Sequence, residues 1–354
     1  MSKLESEVVS RYLSSRLEAP VSIRSMKQTF PGASRETWLI QAEVGKELQG
    51  FALRVDLPGG DCVPLSLRRE YEVYSRLYGS SVPVAEPLWY DEKIDFVEGR
   101  PHMVRRLVEG STNIPGLSDA TTEGAELRKR VAFECMEKLA LVHLLDWKAI
   151  GLHDVLPEPP SAAEALATEF ALWRGYWDEK NPYADPVLEE ALCWLSEHIP
   201  TDTPRISLVK GNNGVGEEIF VGDKIIAMSD WELASLGDSA LDIGWSQGTL
   251  QLADSGEILR HYEQCLGAKI SLQRLAFSMF LIWLKQLVCV KAYMYPNYTA
   301  GRSRRIIDLT FGLVHAEGTL DRLAKCIGKD IVEAWLEVSG QERSIYATFG
   351  GKKK

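Results

Sequence analysis

The pattern of apolar and polar positions changes from strand-like to helical along the chain. Helical spacing over 4–17 predicts an amphipathic lead-in helix, and the same spacing returns at 67–77. Short apolar runs bounded by turn residues predict the strands of an antiparallel sheet. These runs are 21–23, 38–44, 49–55, 88–90 and 101–110. The first third of the chain is therefore predicted to be a sheet accompanied by helices.

From about residue 121 the spacing is mainly helical. The predicted helices are 127–144, 162–177, 186–198, 258–266, 272–290 and 305–327. The most apolar run, 275–284, is followed by Lys285 and Gln286, so it is too short to span a bilayer and is expected to be buried. His143 is interpreted as a structural core residue. The boundary between the two parts is predicted near Gly110.

One stretch in the helical part, 206–232, has a different pattern. It combines apolar strands with polar turns that need special backbone angles and that carry acidic groups. Turns of this kind commonly hold a metal ion and phosphates. We therefore predict a small active-site hairpin there.

Composition narrows the class of protein. The 354 residues are 45% hydrophobic, which is enough for two packed domains. The formal net charge of -10 argues against a nucleic-acid-binding surface and against attraction to anionic membranes. No secretory signal is expected at the N-terminus, and the six cysteines are scattered without close pairs. Reduced thiols in a cytoplasm fit this pattern best.

The turn residues of 206–232 have the spacing of a known catalytic centre. They are Lys210-Gly211-Asn212, then Glu217, then Ser229-Asp230-Trp231-Glu232, followed by Leu236-Gly237-Asp238-Ser239-Ala240-Leu241-Asp242-Ile243-Gly244-Trp245. This order resembles the aminoglycoside phosphotransferase family, in particular the branch related to acyl-CoA dehydrogenase family members 10 and 11. That family has His-Gly-Asp, an Asn five residues later and an Asp thirteen residues further on. The spacing is kept here, while Lys210, Asn212 and Glu217 replace His, Asp and Asn.

The resemblance implies an α+β, bilobal protein-kinase-like fold. Residues 1–109 would form an N-lobe, with an antiparallel nucleotide-binding sheet and its helices. Residues 110–345 would form a mainly helical C-lobe that carries the hairpin, and 346–354 would be a flexible tail.

For nucleotide phosphates the resemblance implies two contacts. Ser34 lies in the loop 30–37, which matches the family's Gly-Gly/Ala-Ser-Arg-Glu-Thr, although an ordinary hairpin turn is the alternative from sequence alone. Arg54 stands in the strand that supplies the phosphate-pairing cation, and an exposed strand arginine is its alternative. Glu70 matches the helix glutamate that pairs with this cation, with Glu72 as a second choice.

The resemblance also places the hinge that binds adenine through main-chain groups at 104–107. Val104 and Arg106 are the residues assigned to it. Because a hinge works through its backbone, side-chain identity does not test this assignment.

At the hairpin the resemblance implies roles in metal binding and in catalysis. Asp230 and Glu217 would hold Mg²⁺, since carboxylate oxygens are good ligands for it. Asn212 would orient the acceptor hydroxyl but cannot take its proton at neutral pH, a function worth about 10² to 10⁴ in rate. Phosphoryl transfer depends mostly on positioning and charge, so the loss of this base is compatible with a slow kinase. Lys210 would offset Glu217 or contact a phosphate.

Three functions follow from these assignments. The first is an ATP- and Mg²⁺-dependent phosphotransferase acting on the hydroxyl of a small molecule, by resemblance a catabolic substrate rather than a drug. The second is a catalytically inactive nucleotide-binding pseudokinase. The third is a repurposed site in which Lys210 and Glu217 carry the acid–base work of another reaction, such as elimination.

Overall fold

The computed structural model describes residues 4–29, 34–57, 65–92, 97, 99–180, 183–303 and 305–339. Part of the predicted phosphate loop (30–33), Cys62 and the predicted tail (346–354) lie outside these residues.

The N-terminal part is built on one antiparallel five-stranded sheet in the order β1-β2-β3-β5-β4. Its strands are β1 (Val21–Gln28), β2 (Arg35–Val44), β3 (Glu47–Asp56), β4 (Pro87–Asp91) and β5 (His102–Arg106). Helix α1 (Ser6–Leu17) precedes the sheet, and α2 (Leu67–Leu77) connects β3 to β4. The predicted antiparallel sheet is confirmed. We call this part the N-lobe and the part from residue 111 onward the C-lobe.

The sequence of α2 fixes which of its faces is buried. Ser66 caps the helix by accepting a hydrogen bond from the Arg69 N–H at 3.3 Å. Positions three and four apart then form one buried stripe, which consists of Leu67, Glu70, Val73, Tyr74 and Leu77. Glu70 is thus a carboxylate on an otherwise apolar face. Such a group needs a buried partner of opposite charge.

The C-lobe is mainly helical. Its longer helices are α3 (Thr122–Leu144), α4 (Ala165–Lys180), α5 (Pro186–Ser196), α8 (Ser255–Leu266), α9 (Leu272–Val288), α12 (Ala316–Ala324) and α13 (Ile331–Ser339). Short helices α6 (Ala240–Trp245), α7 (Gln247–Leu250), α10 (Tyr295–Thr299) and α11 (Ile306–Thr310) lie between them. The predicted helical C-lobe is confirmed, with helix ends moved by a few residues.

Two predicted helices are interrupted by wider π-helical turns. The helix predicted at 272–290 passes into a π-helix at Cys289–Met294, directly before Pro296, which has no N–H to donate. The helix predicted at 305–327 is divided by a second π-helix, Phe311–His315. There Gly312 faces Tyr295 so closely that a Cβ would lie 2.5 Å from the ring. The prediction of one continuous α-helix at 305–327 was wrong, because apolar periodicity does not report such local packing.

The apolar run 275–284 lies inside a longer helical stretch, Leu272–Thr299. By length and composition this stretch could cross a membrane, but 89% of its most apolar window is buried inside the protein. Its predicted role as a buried C-lobe helix is confirmed.

The stretch 206–232 forms two nested strand pairs. Strand β6 (Ser207–Val209) pairs with β9 (Ser235–Gly237), and β7 (Ile219–Val221) forms a hairpin with β8 (Lys224–Ala227). The predicted hairpin is therefore β7–β8 alone. Strand β6 pairs with a strand that follows the hairpin, and this brings the turn after β6 next to the turn before β9.

Buried His102 in β5 makes N-lobe stability depend on pH. Its Nε2 lies 2.8 Å from the Tyr12 hydroxyl, and burial lowers the pKa of His102 below its ordinary value. The folded chain therefore binds this proton less readily than the unfolded chain. The stability that neutral His102 provides is present above the ordinary histidine pKa of about 6.5 and is lost as pH falls below it.

We expect wild-type stability to fall relative to His102→Gln as pH is lowered from about 8 to about 5. Urea unfolding of both proteins at each pH measures the difference in unfolding free energy. Glutamine does not titrate in this range, and all other titratable groups are the same in both proteins. The difference in unfolding free energy therefore reports the titration of His102. A difference that stays constant with pH would contradict the assignment.

Candidate active site

Two loops face each other at the centre of the molecule. The 210–218 loop connects β6 to β7, and the 228–234 loop connects β8 to β9. Pairing of Val209 with Ser235 holds their ends together. Gly211 allows this close approach, because it has φ +86° and a Cβ on it would lie 2.6 Å from Leu233 Cβ.

Asp242 in α6 fixes the backbone of the 210–218 loop. Its two carboxylate oxygens accept hydrogen bonds from the N–H groups of Lys210 and Gly211, each at 2.8 Å. His143 is buried, as predicted, and its Nε2 lies 2.8 Å from Asp242 Oδ2. Asn213 closes the loop by donating to the Gly211 carbonyl at 2.9 Å. The carboxylate of Asp242 thus fixes the backbone at the start of this loop.

Lys210 is fully buried. Its Nζ lies 3.1 Å from Glu218 Oε1, donates to the Asn212 carbonyl, and stands 5.6 Å from the centroid of the Trp231 ring. Burial raises the pKa of Glu218 to about 7, although Lys210 opposes that shift. The ion-pair partner of Lys210 is therefore Glu218 rather than the predicted Glu217. This arrangement ties the side chain into the loop, and the predicted acid–base role of Lys210 remains a prediction.

Arg54 occupies the space between the lobes and is buried. Its Nη1 lies 3.2 Å from Glu70 Oε1, and its Nη2 lies 2.8 Å from Asp230 Oδ1 and 2.9 Å from Glu232 Oε2. Glu72 instead lies at the surface, 4.0 Å from Arg68. The structure thus brings together Arg54 and the Glu70 that the sequence assigned to it.

Glu232 extends this network to the end of the predicted phosphate loop. It accepts a hydrogen bond from Ser34 Oγ at 2.7 Å and one from Arg35 Nη1. Arg35 also donates to Asp56 at 2.8 Å and to the Leu65 carbonyl at 2.7 Å. Ser34 is therefore positioned by the C-lobe. Its predicted contact with phosphate remains a prediction.

Asp230 stands at the point where the two loops and the N-lobe meet. It has φ +63°, a left-handed backbone conformation that non-glycine residues adopt at a cost and that is frequent at functional sites. Its N–H donates to the Tyr74 hydroxyl at 3.1 Å, and its Oδ2 accepts from Asn212 Nδ2 at 3.0 Å. Burial acts to raise the pKa of Asp230, but Arg54, Lys210 and the Asn212 hydrogen bond outweigh it and lower the pKa to about 2.

Glu217 lies beside this pair. Burial and the charge of Asp230 raise the pKa of Glu217, while the charge of Lys210 and a hydrogen bond from Asn212 act to lower it. The same two causes, burial and Asp230, raise the pKa of Glu232. The carboxylates therefore repel one another in spite of the nearby arginines. A cation placed among them would relieve that repulsion.

The donor set suits Mg²⁺ bound together with a nucleotide. Proteins usually hold Mg²⁺ through one or two carboxylates, and phosphates and water fill the other positions. Glu217 and Asp230 could supply such a pair. Within the described part of the chain, no group of three His, Cys, Asp or Glu side chains is arranged to hold a metal.

The predicted hinge residues lie in β5 and just beyond it. Val104 is buried and stands opposite both Leu53 in β3 and Trp89 in β4. The Arg106 N–H donates to the Glu86 carbonyl at 2.8 Å, and its side chain lies 3.3 Å from Glu86 Oε2. These two positions hold the end of the sheet together, and their role in binding a base remains a prediction.

Comparison with known proteins places this arrangement in a family. Residues 28–276 match the phosphotransferase enzyme family, APH. The chain belongs to this family. The resemblance found in the catalytic-loop motif is thereby confirmed.

Curated relatives of this family member belong to the predicted branch. Acyl-CoA dehydrogenase family member 11 of Gallus gallus is 24% identical over 81% of this chain and 38% of its own length. Acyl-CoA dehydrogenase family member 10 of Mus musculus is 25% identical over 58% of this chain and 19% of its own length. The chain thus spans less than two fifths of each of these relatives.

Solved structures of phosphotransferases share its fold. A thermostable mutant of aminoglycoside phosphotransferase APH(4)-Ia, in a ternary complex with ADP and hygromycin B, has a TM-score of 0.58 at 18% identity, covering 91% of this chain and 99% of that one. The GDP and kanamycin complex of APH(2")-IIIa has a TM-score of 0.57 at 14% identity, covering 88% and 97%. The predicted bilobal α+β fold is confirmed.

Several charged residues of the site received no role from sequence reasoning. They are Arg35, Glu218, Glu232 and Asp242. Glu232 and Asp242 stand inside the quoted motifs, so their positions were marked but their partners were not. The pairing of Arg35 with Glu232 joins residues 197 positions apart, and no local pattern signals it.

We expect Lys210 and Glu218 to be strongly coupled in stability. Lys210→Met leaves a buried carboxylate without its cation, which typically costs about 3 to 5 kcal/mol. The double variant Lys210→Met, Glu218→Gln is expected to lose less than the two single variants together. Urea unfolding of all four proteins at about pH 8, where Glu218 is ionised, gives the coupling energy.

The surface pair Lys325 and Asp321 is the matched control. Its atoms lie 2.6 Å apart, but both side chains are 65% exposed, so its coupling is expected to be below about 1 kcal/mol. Additive effects at Lys210 and Glu218 would show that the buried pair does not hold the loop.

Proposed function

We propose that the chain is a nucleotide- and Mg²⁺-dependent phosphotransferase that acts on the hydroxyl of a small molecule. The observation that carries the proposal is the junction of Arg54, Glu70 and Asp230. A cation on the N-lobe sheet, fixed by a helix glutamate, faces a buried aspartate of the C-lobe across the space between the lobes. This combination serves to hold phosphates on one side and a metal on the other.

The roles of the chain's own residues follow from their positions. Arg54 would contact nucleotide phosphates through its fork of donors, with Glu70 keeping it in place. Ser34 would lie over the phosphates at the edge of its loop. Asp230 and Glu217 would hold Mg²⁺, which when bound neutralises the charge on the phosphates. ATP is the nucleotide proposed, and main-chain groups near Val104 and Arg106 would bind its base.

Asn212 would orient the acceptor. Its Nδ2 faces Asp230, so its amide oxygen can accept a hydrogen bond from an incoming hydroxyl. The hydroxyl oxygen forms a new bond to phosphorus as the bond to the leaving nucleotide breaks. Because an amide takes no proton, the hydroxyl proton passes to an oxygen of the transferred phosphoryl group. The loose transition state of phosphoryl transfer makes such a late proton transfer acceptable.

The acceptor is proposed to be a hydroxylated metabolite. The similar curated proteins are acyl-CoA dehydrogenase family members, whereas the similar solved structures contain hygromycin B and kanamycin. We favour a catabolic alcohol, such as a hydroxyacyl thioester, because of the similarity to the acyl-CoA dehydrogenase family members.

We expect Mg²⁺-dependent ATP binding that is lost in Asp230→Ala. Removing this carboxylate takes away a metal ligand and the partner of Arg54. Calorimetric titration with ATP, with and without Mg²⁺, measures the effect. Asp223→Ala is the matched control, since Asp223 lies on the turn of the β7–β8 hairpin and pairs with Arg130 at the surface. No ATP binding by the wild type under either condition would refute the nucleotide site.

We also expect Asn212→Asp to raise turnover by up to about 10² to 10⁴, because it supplies a general base. Release of ADP, with water or a panel of hydroxylated compounds as acceptor, gives a readout that does not require the natural substrate. Tight ATP binding without ADP release in either protein would instead favour the pseudokinase interpretation. Product formation without ATP would favour a repurposed site.

A further inference from the structure

The side-chain amide of Asn212 is bonded to Asp230, one of the two carboxylates proposed to hold the metal. Its Nδ2 donates to Asp230 Oδ2 at 3.0 Å, and a hydrogen bond from the same side chain acts to lower the pKa of Glu217. An amide nitrogen has two N–H groups, so it can bridge two carboxylates. An aspartate at this position could not do so, because its oxygens would repel theirs.

The other oxygen of Asp230 is also engaged. Asp230 Oδ1 accepts from Arg54 Nη2 at 2.8 Å, and this guanidinium is buried between the lobes. Both carboxylate oxygens of Asp230 are thus held by donors of the protein itself. A divalent cation that binds Asp230 would compete with these donors for the carboxylate oxygens, and hydrogen bonds to a charged group are among the stronger ones.

Arg54 is the donor that a nucleotide can draw away. Its Nη2 is shared between Asp230 and Glu232, so it keeps a carboxylate partner when it leaves Asp230. Phosphate oxygens are strong acceptors for a guanidinium. A nucleotide phosphate offers no comparable competition for the hydrogen bond between Asn212 and Asp230. Only a cation that binds the carboxylates would displace it.

We propose that Asn212 and Arg54 together close the metal site in the nucleotide-free chain, so that the divalent cation binds with the nucleotide and not before it. The inference rests on the proposed role of Asp230 as a metal ligand. Under this arrangement the replacement of the family's Asp by Asn does more than remove a base. It makes metal loading depend on the nucleotide.

The test uses Mn²⁺ as the probe, in the absence of nucleotide, with binding followed by electron paramagnetic resonance. We expect weak binding to the wild type and binding about tenfold or more tighter to Asn212→Ala, because the substitution frees an Asp230 oxygen without changing the charge. Asn212→Ser, whose side chain is too short to bridge both carboxylates, is expected to behave like Asn212→Ala. Calorimetry with ATP in a metal chelator should show that the wild type binds nucleotide without metal, but more weakly than it does with Mg²⁺.

The control is the double variant Asn212→Ala, Asp230→Ala, in which the gain in Mn²⁺ affinity should disappear. Wild-type protein that binds Mn²⁺ alone as tightly as Asn212→Ala would overturn the inference, and this comparison does not depend on activity. If that happens while Asp230→Ala still abolishes Mg²⁺-dependent ATP binding, the proposed metal site stands and only its closure is refuted. If the double variant keeps the gain, the cation binds elsewhere and the proposed role of Asp230 fails.

Discussion

The buried positive charge of Arg54 is the feature on which the rest of the site depends. Removing a guanidinium from water is costly unless carboxylates of matching geometry surround it. Here the partners come from three places: Glu70 from α2, and Asp230 and Glu232 from the two halves of the 228–234 loop. Satisfying this charge therefore sets the position of α2 against the sheet. It also sets the position of the C-lobe loop against both.

A second constraint acts from the C-lobe side. Asp242 fixes two successive backbone N–H groups of the 210–218 loop, and the Lys210–Glu218 pair fills the space inside the loop. Both sets of contacts are buried within the C-lobe. They make the loop rigid, so Asn212 meets Asp230 in one geometry. Positioning of this kind is the main contribution that a protein makes to phosphoryl transfer.

The sequence was informative where local pattern and chemistry agree. Glu70 could be predicted because it matches the family's helix glutamate that pairs with the strand cation, and the structure adds the physical reason, since a carboxylate on a buried helix stripe needs a cation. The partner of Lys210 could not be predicted. Glu217 and Glu218 are adjacent, and which one turns inward depends on the positive φ angles of Gly214 and Gly216. The bond between Arg35 and Glu232 was equally invisible, since only the assembled fold brings β2 to the 228–234 loop. Metal ligation and the hinge contacts also remain predictions, because only a bound ligand would complete them.

The 228–234 loop also has a mechanical role. Along its length it contacts the N-lobe repeatedly. Met228 N–H donates to the Pro83 carbonyl, Asp230 and Glu232 bind Arg54, and the Ala234 carbonyl accepts from Arg69. The loop that carries the proposed metal ligand is thus a joint between the two lobes. A ligand that changes the partners of Asp230 therefore acts on contacts that join the two lobes. If such a ligand binds one arrangement of the lobes better than another, thermodynamic linkage requires that anything else favouring this arrangement also favours binding at Asp230.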